Sequence, residues 1–365
     1  MRSNWFCFAA VMRNNPYMLW AIFAGLAIFR GPEAYAQATV QAVNTFDSLV
    51  RNYNLVAFGN ASFSGHSIQG GLAVQGNLTL SSTPGIGSNY GTGADPTLFV
   101  GGKLTLKNDS SVSTGYVSVN STANSHLNVS GNQVTMGGGK LLLNGNSSNP
   151  LNNLPPANWN WATIQSQAIS ISQTLKNAAQ TGTIAVNPAK QALTFTSTTT
   201  AAGVVVFQLD ANKLGQSSYD GINNVNNIMF NLAPNQTAVV NVINWDGKNL
   251  FSGYNFNDNG NVGGHLLWNF NGSGTLRIGN NADFFGSILA PEADLMKNNS
   301  SNRLDGQLIV NNVDYSGAQL HFEEFAPIGV LVPEPSTYAL WTIALCGAGL
   351  WWQRRRLQRS ETTGK

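Results

Sequence analysis

The sequence predicts a mainly β protein: a β-solenoid or β-helix-like domain with one long helix packed along it, set between an N-terminal signal peptide and a C-terminal transmembrane helix. Three observations carry this. Glycine-punctuated strand segments recur at intervals of a few tens of residues, the pattern of stacked coils in which no single repeat buries its own face. Only 10% of the 365 residues are charged while 42% are hydrophobic, a balance that builds a large core beneath a surface solvated by neutral Asn, Ser, Thr and Gly. Finally, both ends are apolar runs accompanied by arginine.

At the N-terminus, Arg2 and Arg13 accompany an apolar run from Tyr17 to Phe29, followed by Ala34-Tyr35-Ala36. A basic lead, an apolar stretch and a small-x-small site make up a secretory signal, cleaved here after Ala36. The competing reading is a buried helix or an N-terminal anchor, for which the run is short, since spanning takes about 20 residues. The chain then divides into a signal peptide (1–36), a β-rich domain (37–327) and a sorting and membrane segment (328–358). Between residues 37 and 335 there are 11 basic and 15 acidic residues, so the formal +2 of the whole chain belongs to its ends. The domain lacks the basic footprint of a nucleic-acid binder. Cys7 and Cys346 both lie in the end segments, which leaves the domain without a disulfide framework or thiolate chemistry.

The first strands come as Leu72-Ala-Val-Gln-Gly-Asn-Leu-Thr-Leu80 and Leu98-Phe-Val-Gly-Gly-Lys-Leu-Thr-Leu106, with a weaker copy from Leu127 to Met136. Val74, Val100 and Val129 are taken as equivalent positions. Alternating apolar and small polar residues fit strands with one buried face, and each glycine fits a bend or a close backbone approach. A two-sheet sandwich is the alternative architecture. Next, Trp161, Ile164, Ala168, Ile171, Leu175 and Ala178 are spaced three and four apart behind Pro155-Pro156, a single apolar helical stripe ended by Gly182. Ala192–Leu209 and Ile228–Val242 read as further strands, with Val204–Phe207 apolar on both faces and therefore central. Gly286 and Gly306 mark two coils of the C-terminal half, and Asn280, Asn281, Asn298, Asn299, Asn311 and Asn312 fit their corners.

Chemistry is sparse. His66, His126, His265 and His321 show no metal-ligand spacing, and no thiolates accompany them, so no metal site and no cofactor is expected. Asn255–Asn261 is a faint echo of a calcium loop that lacks the ligand charge; an Asn-Gly turn explains it better. Asp283, Glu292, Asp294, Asp305 and Glu323-Glu324 form an acidic group near the glycine-marked coils. Paired carboxylates of this kind serve polysaccharide-cleaving β-helical enzymes, which is the alternative to a non-enzymatic protein. Tyr219, Trp245 and Trp268 are candidate stacking platforms for glycans.

The tail is the most specific segment. Pro333-Glu334-Pro335 precedes the uncharged run Ser336–Trp352, then Arg354-Arg355-Arg356. The run reaches the short end of the spanning range and the arginines predict a cytoplasmic end. In this order and at this end, the three elements closely resemble a PEP-CTERM sorting signal. The resemblance implies export through the Sec translocase, transient inner-membrane anchoring, processing by an exosortase, and a Gram-negative host that makes exopolysaccharide. An ordinary single-span anchor is the competing reading. The body, through Tyr53–Asn60, Val74–Asn77, Val242–Asp246, Trp268–Phe270 and Phe285–Pro291, resembles the choice-of-anchor A surface domain. That resemblance implies an adhesive or structural role at the cell surface or in an extracellular matrix, with exopolysaccharide or other surface proteins as partners. The Gly-Ser-Ile-Leu-Ala segment is also similar to ice-binding-like β-helix domains, which bears on fold.

Overall fold

The computed structural model describes residues 32–328 except 51–52, 66, 82–84, 91–94, 121, 125, 137, 144–155, 157, 258–261, 280–282, 299–302 and 318. The chain winds into coils whose strands form three walls, each strand pairing in parallel with the equivalent strand of the next coil. One turn runs from Tyr53–Ala57 on the first wall to Ala61–Ser64 on the second, through Ile68 on the third, and back to Gly71–Val74 on the first. Leu98–Val100 and Val117–Val119 continue the first wall in one direction. Parallel pairing throughout the first and second walls excludes the two-sheet sandwich.

Chain order and spatial order differ. After Val117–Val119 the chain restarts at the opposite end with Gly203–Asp210, then returns through Gln236–Ile243, Leu266–Asn269, Ser287–Ala290 and Leu308–Val310. That last strand pairs with Tyr53–Ala57, Leu308 opposite Leu55 and Val310 opposite Ala57. The first strand of the chain thus lies inside a nine-stranded wall, closed by a strand about 250 residues later.

Two helices, α1 (Pro32–Val50) and α2 (Trp161–Lys176), lie against this wall and each other. Inward residues such as Leu72, Val100, Val240, Trp268 and Ile288 enter the coil interior. The residues alternating with them, among them Val56, Ala73, Val239, Leu267, Leu289 and Ile309, pack beneath the helices. A wall buried on both faces reads as a continuous apolar run, which hides the period-two signal. At α2 the stripe buries Ile164, Ala168, Ile171 and Leu175, and Asn160 caps the start by accepting from the Thr163 backbone N–H. Asn177, not Gly182, is the C-cap; Gly182 opens the next strand.

Four further expectations are corrected. There are two helices among the described residues, not one: Val43, Phe46 and Val50 of α1 are buried at helical spacing, with Phe46 edge-on to Phe325 at 5.2 Å. Their stripe is hard to see because α1 begins inside the segment assigned to the signal peptide. Val129 is not the third repeat; Val100 pairs with Val119, and Val129 sits in an antiparallel hairpin opposite Val134. Val204–Phe207 is not central but belongs to the edge strand of its wall, with Val206 bonded on its free side through its backbone to Thr181. Trp268 and Trp245 are core residues, 0% and 4% exposed, rather than open platforms. No helix of the described residues is long and apolar enough to cross a membrane. The run Ser336–Trp352, with Pro333, Glu334, Pro335, Arg354, Arg355 and Arg356, lies outside the described residues.

Candidate functional site

The second wall differs from the first in one respect: among the described residues, neither helix packs over its outer side. Its strands run in the order Asn249–Leu250, Gly274–Ile278, Ala293–Asn298, Val313–Ser316, Ala61–Ser64, Leu78–Leu80 and Leu104–Leu106. Alternation turns Phe63, Leu78, Leu80, Leu104, Leu276 and Tyr315 inward. The intervening residues stand outward in one register: Asn249, Arg277, Met296, Asp314, Ser62, Thr79 and Thr105. Parallel pairing spaces such neighbours by about 4.8 Å. The row has a charged, uneven half around Arg277 and Asp314 and a half of small hydroxyls at Ser62, Thr79 and Thr105. None of these residues was singled out from the sequence. The signal was the central threonine of the two Leu-Thr-Leu segments, overshadowed by the leucines.

A ladder of side chains along the adjoining corner fixes this face. Asp294 accepts from Asn311 and Asn312 at 2.9 and 2.7 Å. The Oδ1 atoms of Asn312, Asn60 and Asn77 accept from the backbone N–H groups of Asn60, Asn77 and Lys103 respectively, each one coil further on. Coils approach so closely here that a Cβ on Gly76 would stand 2.4 Å from the Gly59 carbonyl oxygen, the close approach that the repeat glycine predicts. Asn311 and Asn312 do sit at a corner, held by Asp294 and not by left-handed backbone. Asn280, Asn281 and Asn299 fall outside the described residues.

The acidic group is not one constellation. Asp294 belongs to the ladder. Asp283 and Asp305 do reach neighbouring coils, with Phe285 paired to Asp305, but a cation separates them: Arg303 Nε lies 2.9 Å from Asp305 and 3.6 Å from Asp283. His321 Nδ1 is 3.1 Å from the other oxygen of Asp305, and the Arg303 guanidinium lies over Phe285. Desolvation holds the Asp305 carboxyl above the usual carboxylate range, opposed by Arg303 and His321. This is an internally compensated ion cluster, not a pair of carboxylates open across a groove. His265 bonds the Ala326 carbonyl through Nδ1 at 2.5 Å, tying down the segment that leads to the tail; His66 lies outside the described residues. Among the described residues, no three of His, Cys, Asp and Glu gather as a metal site. Ala34 and Ala36 lie in the first turns of α1, with Ala36 exposed.

Comparison with known proteins gives one sequence match. The family described as "Putative Ice-binding-like adhesive domain" matches residues 46–322. No curated protein matches the chain. Among solved structures, the chain is similar to a glycosylated ice-binding protein from an Arctic yeast, with 15% identity, 79% of this chain and 94% of that one covered, and a TM-score of 0.30. It is also similar to an ice-binding protein from an Antarctic biological consortium, with 12% identity, 77% and 93% covered, and a TM-score of 0.34. An ice-binding protein domain of Shewanella frigidimarina gives 14% identity, 76% and 96% covered, and a TM-score of 0.31.

Proposed function

Because the chain belongs to this family of ice-binding-like adhesive domains, we propose that it is an exported, non-enzymatic surface protein that attaches through the outer face of its second wall. The observation that carries this is the single row from Asn249 to Thr105, in register and, among the described residues, free of any overlying helix. A wall locked by the corner ladder presents these groups without losing conformational freedom on contact, which favours binding to an extended target. The mixed half around Arg277 and Asp314 suits a hydrated polymer with varied groups, such as exopolysaccharide or another surface protein. The hydroxyl half at Ser62, Thr79 and Thr105 favours a second reading, ordered water at an ice surface.

Co-sedimentation with exopolysaccharide tests the first reading. Thr79→Tyr together with Arg277→Ala abolishes retention of a still-folded protein; unchanged retention overturns the proposal, and release of new reducing ends overturns its non-enzymatic part. Incorporation into growing ice crystals, lost in Thr79→Tyr, supports the second reading.

The tail supplies the address. In this reading the chain leaves through the Sec translocase after cleavage at Ala34-Tyr35-Ala36. Ser336–Trp352 then holds it in the inner membrane with Arg354, Arg355 and Arg356 on the cytoplasmic side, and an exosortase processes it at Pro333-Glu334-Pro335 for release to the surface of a Gram-negative cell. The choice-of-anchor A resemblance belongs to the same reading. None of the Pro-Glu-Pro residues is needed for membrane insertion, so Glu334→Ala leaves the larger, unprocessed form in the inner membrane. Intact-mass measurement of the surface fraction decides it: material retaining Trp351 and Arg356, unaffected by Glu334→Ala, identifies a plain anchor.

A further inference from the structure

A second, smaller feature lies where the C-terminal end of α2 meets the first wall. A pocket of about 260 Å³ is formed by Lys176, Asn241, Ile243, Asn244, Trp245 and Asn271 with their neighbours. Its floor is a chain of carboxamides whose orientation is forced. The Leu175 carbonyl only accepts, so Asn241 turns Nδ2 toward it, at 2.7 Å. Asn241 Oδ1 then faces Asn269, which donates to it at 2.8 Å and to the Ser172 carbonyl at 3.0 Å. Asn269 Oδ1 must accept from Ser172 Oγ, at 2.7 Å, and Ser172 Oγ accepts from Asn271 Nδ2 at 3.2 Å. The sequence of donors ends with the Asn271 carbonyl oxygen left over.

Asn244, another lining residue, repeats this. Asp210 accepts from its Nδ2 at 2.9 Å, an interaction that holds the Asp210 carboxyl below the usual range. A carboxylate fixes the amide as firmly as a carbonyl, so the oxygen of Asn244 is also left over. Asn244 adopts a left-handed backbone with φ 57°, a strained conformation for a non-glycine residue. Lys176 is exposed. Ile243 is 38% exposed, and Trp245 stands edge-on to Phe270 at 5.9 Å.

We propose that this pocket binds a single pyranose unit of a glycan. Two fixed carbonyl acceptors suit neighbouring sugar hydroxyls, Lys176 supplies a donor, and the exposed Ile243 supplies an apolar edge for the C–H face of the ring. The volume lies just below the usual range of ligand pockets, about 300–1,000 Å³, which fits one ring and not an oligosaccharide. This site lies on the first wall and does not rest on the reading of the second.

The test titrates the full chain in detergent with methyl glycosides of glucose, galactose and mannose and with the matching uronates, followed by calorimetry. Saturable binding of at least one sugar at roughly millimolar concentration is expected, with loss of one hydrogen bond weakening it by about tenfold in Asn271→Ala. Asn244→Gly keeps the left-handed backbone without strain and should weaken binding similarly, so failure to fold does not obscure the result. Lys176→Ala is expected to weaken every sugar that binds, and binding as tight as in the native chain overturns the donor role of Lys176. No saturable binding across the panel, or binding as tight in Asn271→Ala and Asn244→Gly as in the native chain, overturns the proposal.

Discussion

Among individual residues, Lys297 is the least expected. It lies in the strand Ala293–Asn298, opposite Tyr315, and alternation turns it inward, where it is 1% exposed and its Nζ has no hydrogen-bond partner among the described residues. Burial drives its pKa below the ordinary lysine value, partly offset by the charge of Asp283. The folded state therefore gives up its proton at lower pH than the unfolded chain, and stability rises with pH between the lowered value and the ordinary 10.5. Lys297→Met fills the same space without a charge. We expect it to gain about 1–3 kcal/mol at pH 7, the cost of leaving a buried polar group unpaired. Urea unfolding across pH 7–10.5 checks both statements: the native midpoint climbs relative to that of Lys297→Met, since the buried tyrosines affect both alike. The sequence gives little warning of this residue, because one lysine in a six-residue strand reads as its solvent face.

At the scale of elements, the helix ends carry the next prediction. At the start of α2, Asn160 satisfies the Thr163 N–H at 3.0 Å. Asn160→Ala should cost about 1 kcal/mol, measured as a lower melting temperature with an unchanged far-ultraviolet spectrum. The contrast between the helices shows what was legible. The stripe of α2 was visible because polar residues separate its buried positions. In α1 the buried Val43, Phe46 and Val50 follow an apolar leader, so the helix merged into what came before it. The strand pairs with Gly76 and Gly306 were readable because close coil contact demands glycine at those points: a Cβ on Gly306 would meet the Gly286 carbonyl oxygen at 2.5 Å. The outward row was not readable, since its members are adjacent only through register, and register is set by corners that lie far apart in sequence. The same holds for the amide chain from Leu175 to Asn271, where a helix and two separate strands meet.

For the molecule as a whole, repeats and glycines were enough to indicate coils but not their order, because nothing local records that the strand after Val117–Val119 lies at the far end. The seam between Tyr53–Ala57 and Leu308–Val310 has a consequence of its own. It joins two halves of one chain by non-covalent contacts alone, backbone pairing and packing supplemented by hydrogen bonds from Asn54 to the Gly306 and His321 carbonyls and from Gln307 to the Tyr53 carbonyl, with only the long route through α2 linking them covalently. A half that finds the matching half of a second copy rebuilds the same seam, so an exchanged pair has the same contacts as two separate molecules. Concentration alone then decides between them during folding. Refolding at high protein concentration is expected to yield dimers that persist on dilution, while refolding at low concentration yields monomers, as read by light scattering. Covalently closing the seam with cysteines at Val56 and Ile309, opposed in register, should suppress the exchanged form. In any crowded layer of such copies, the same exchange would tie neighbours together without any dedicated interface.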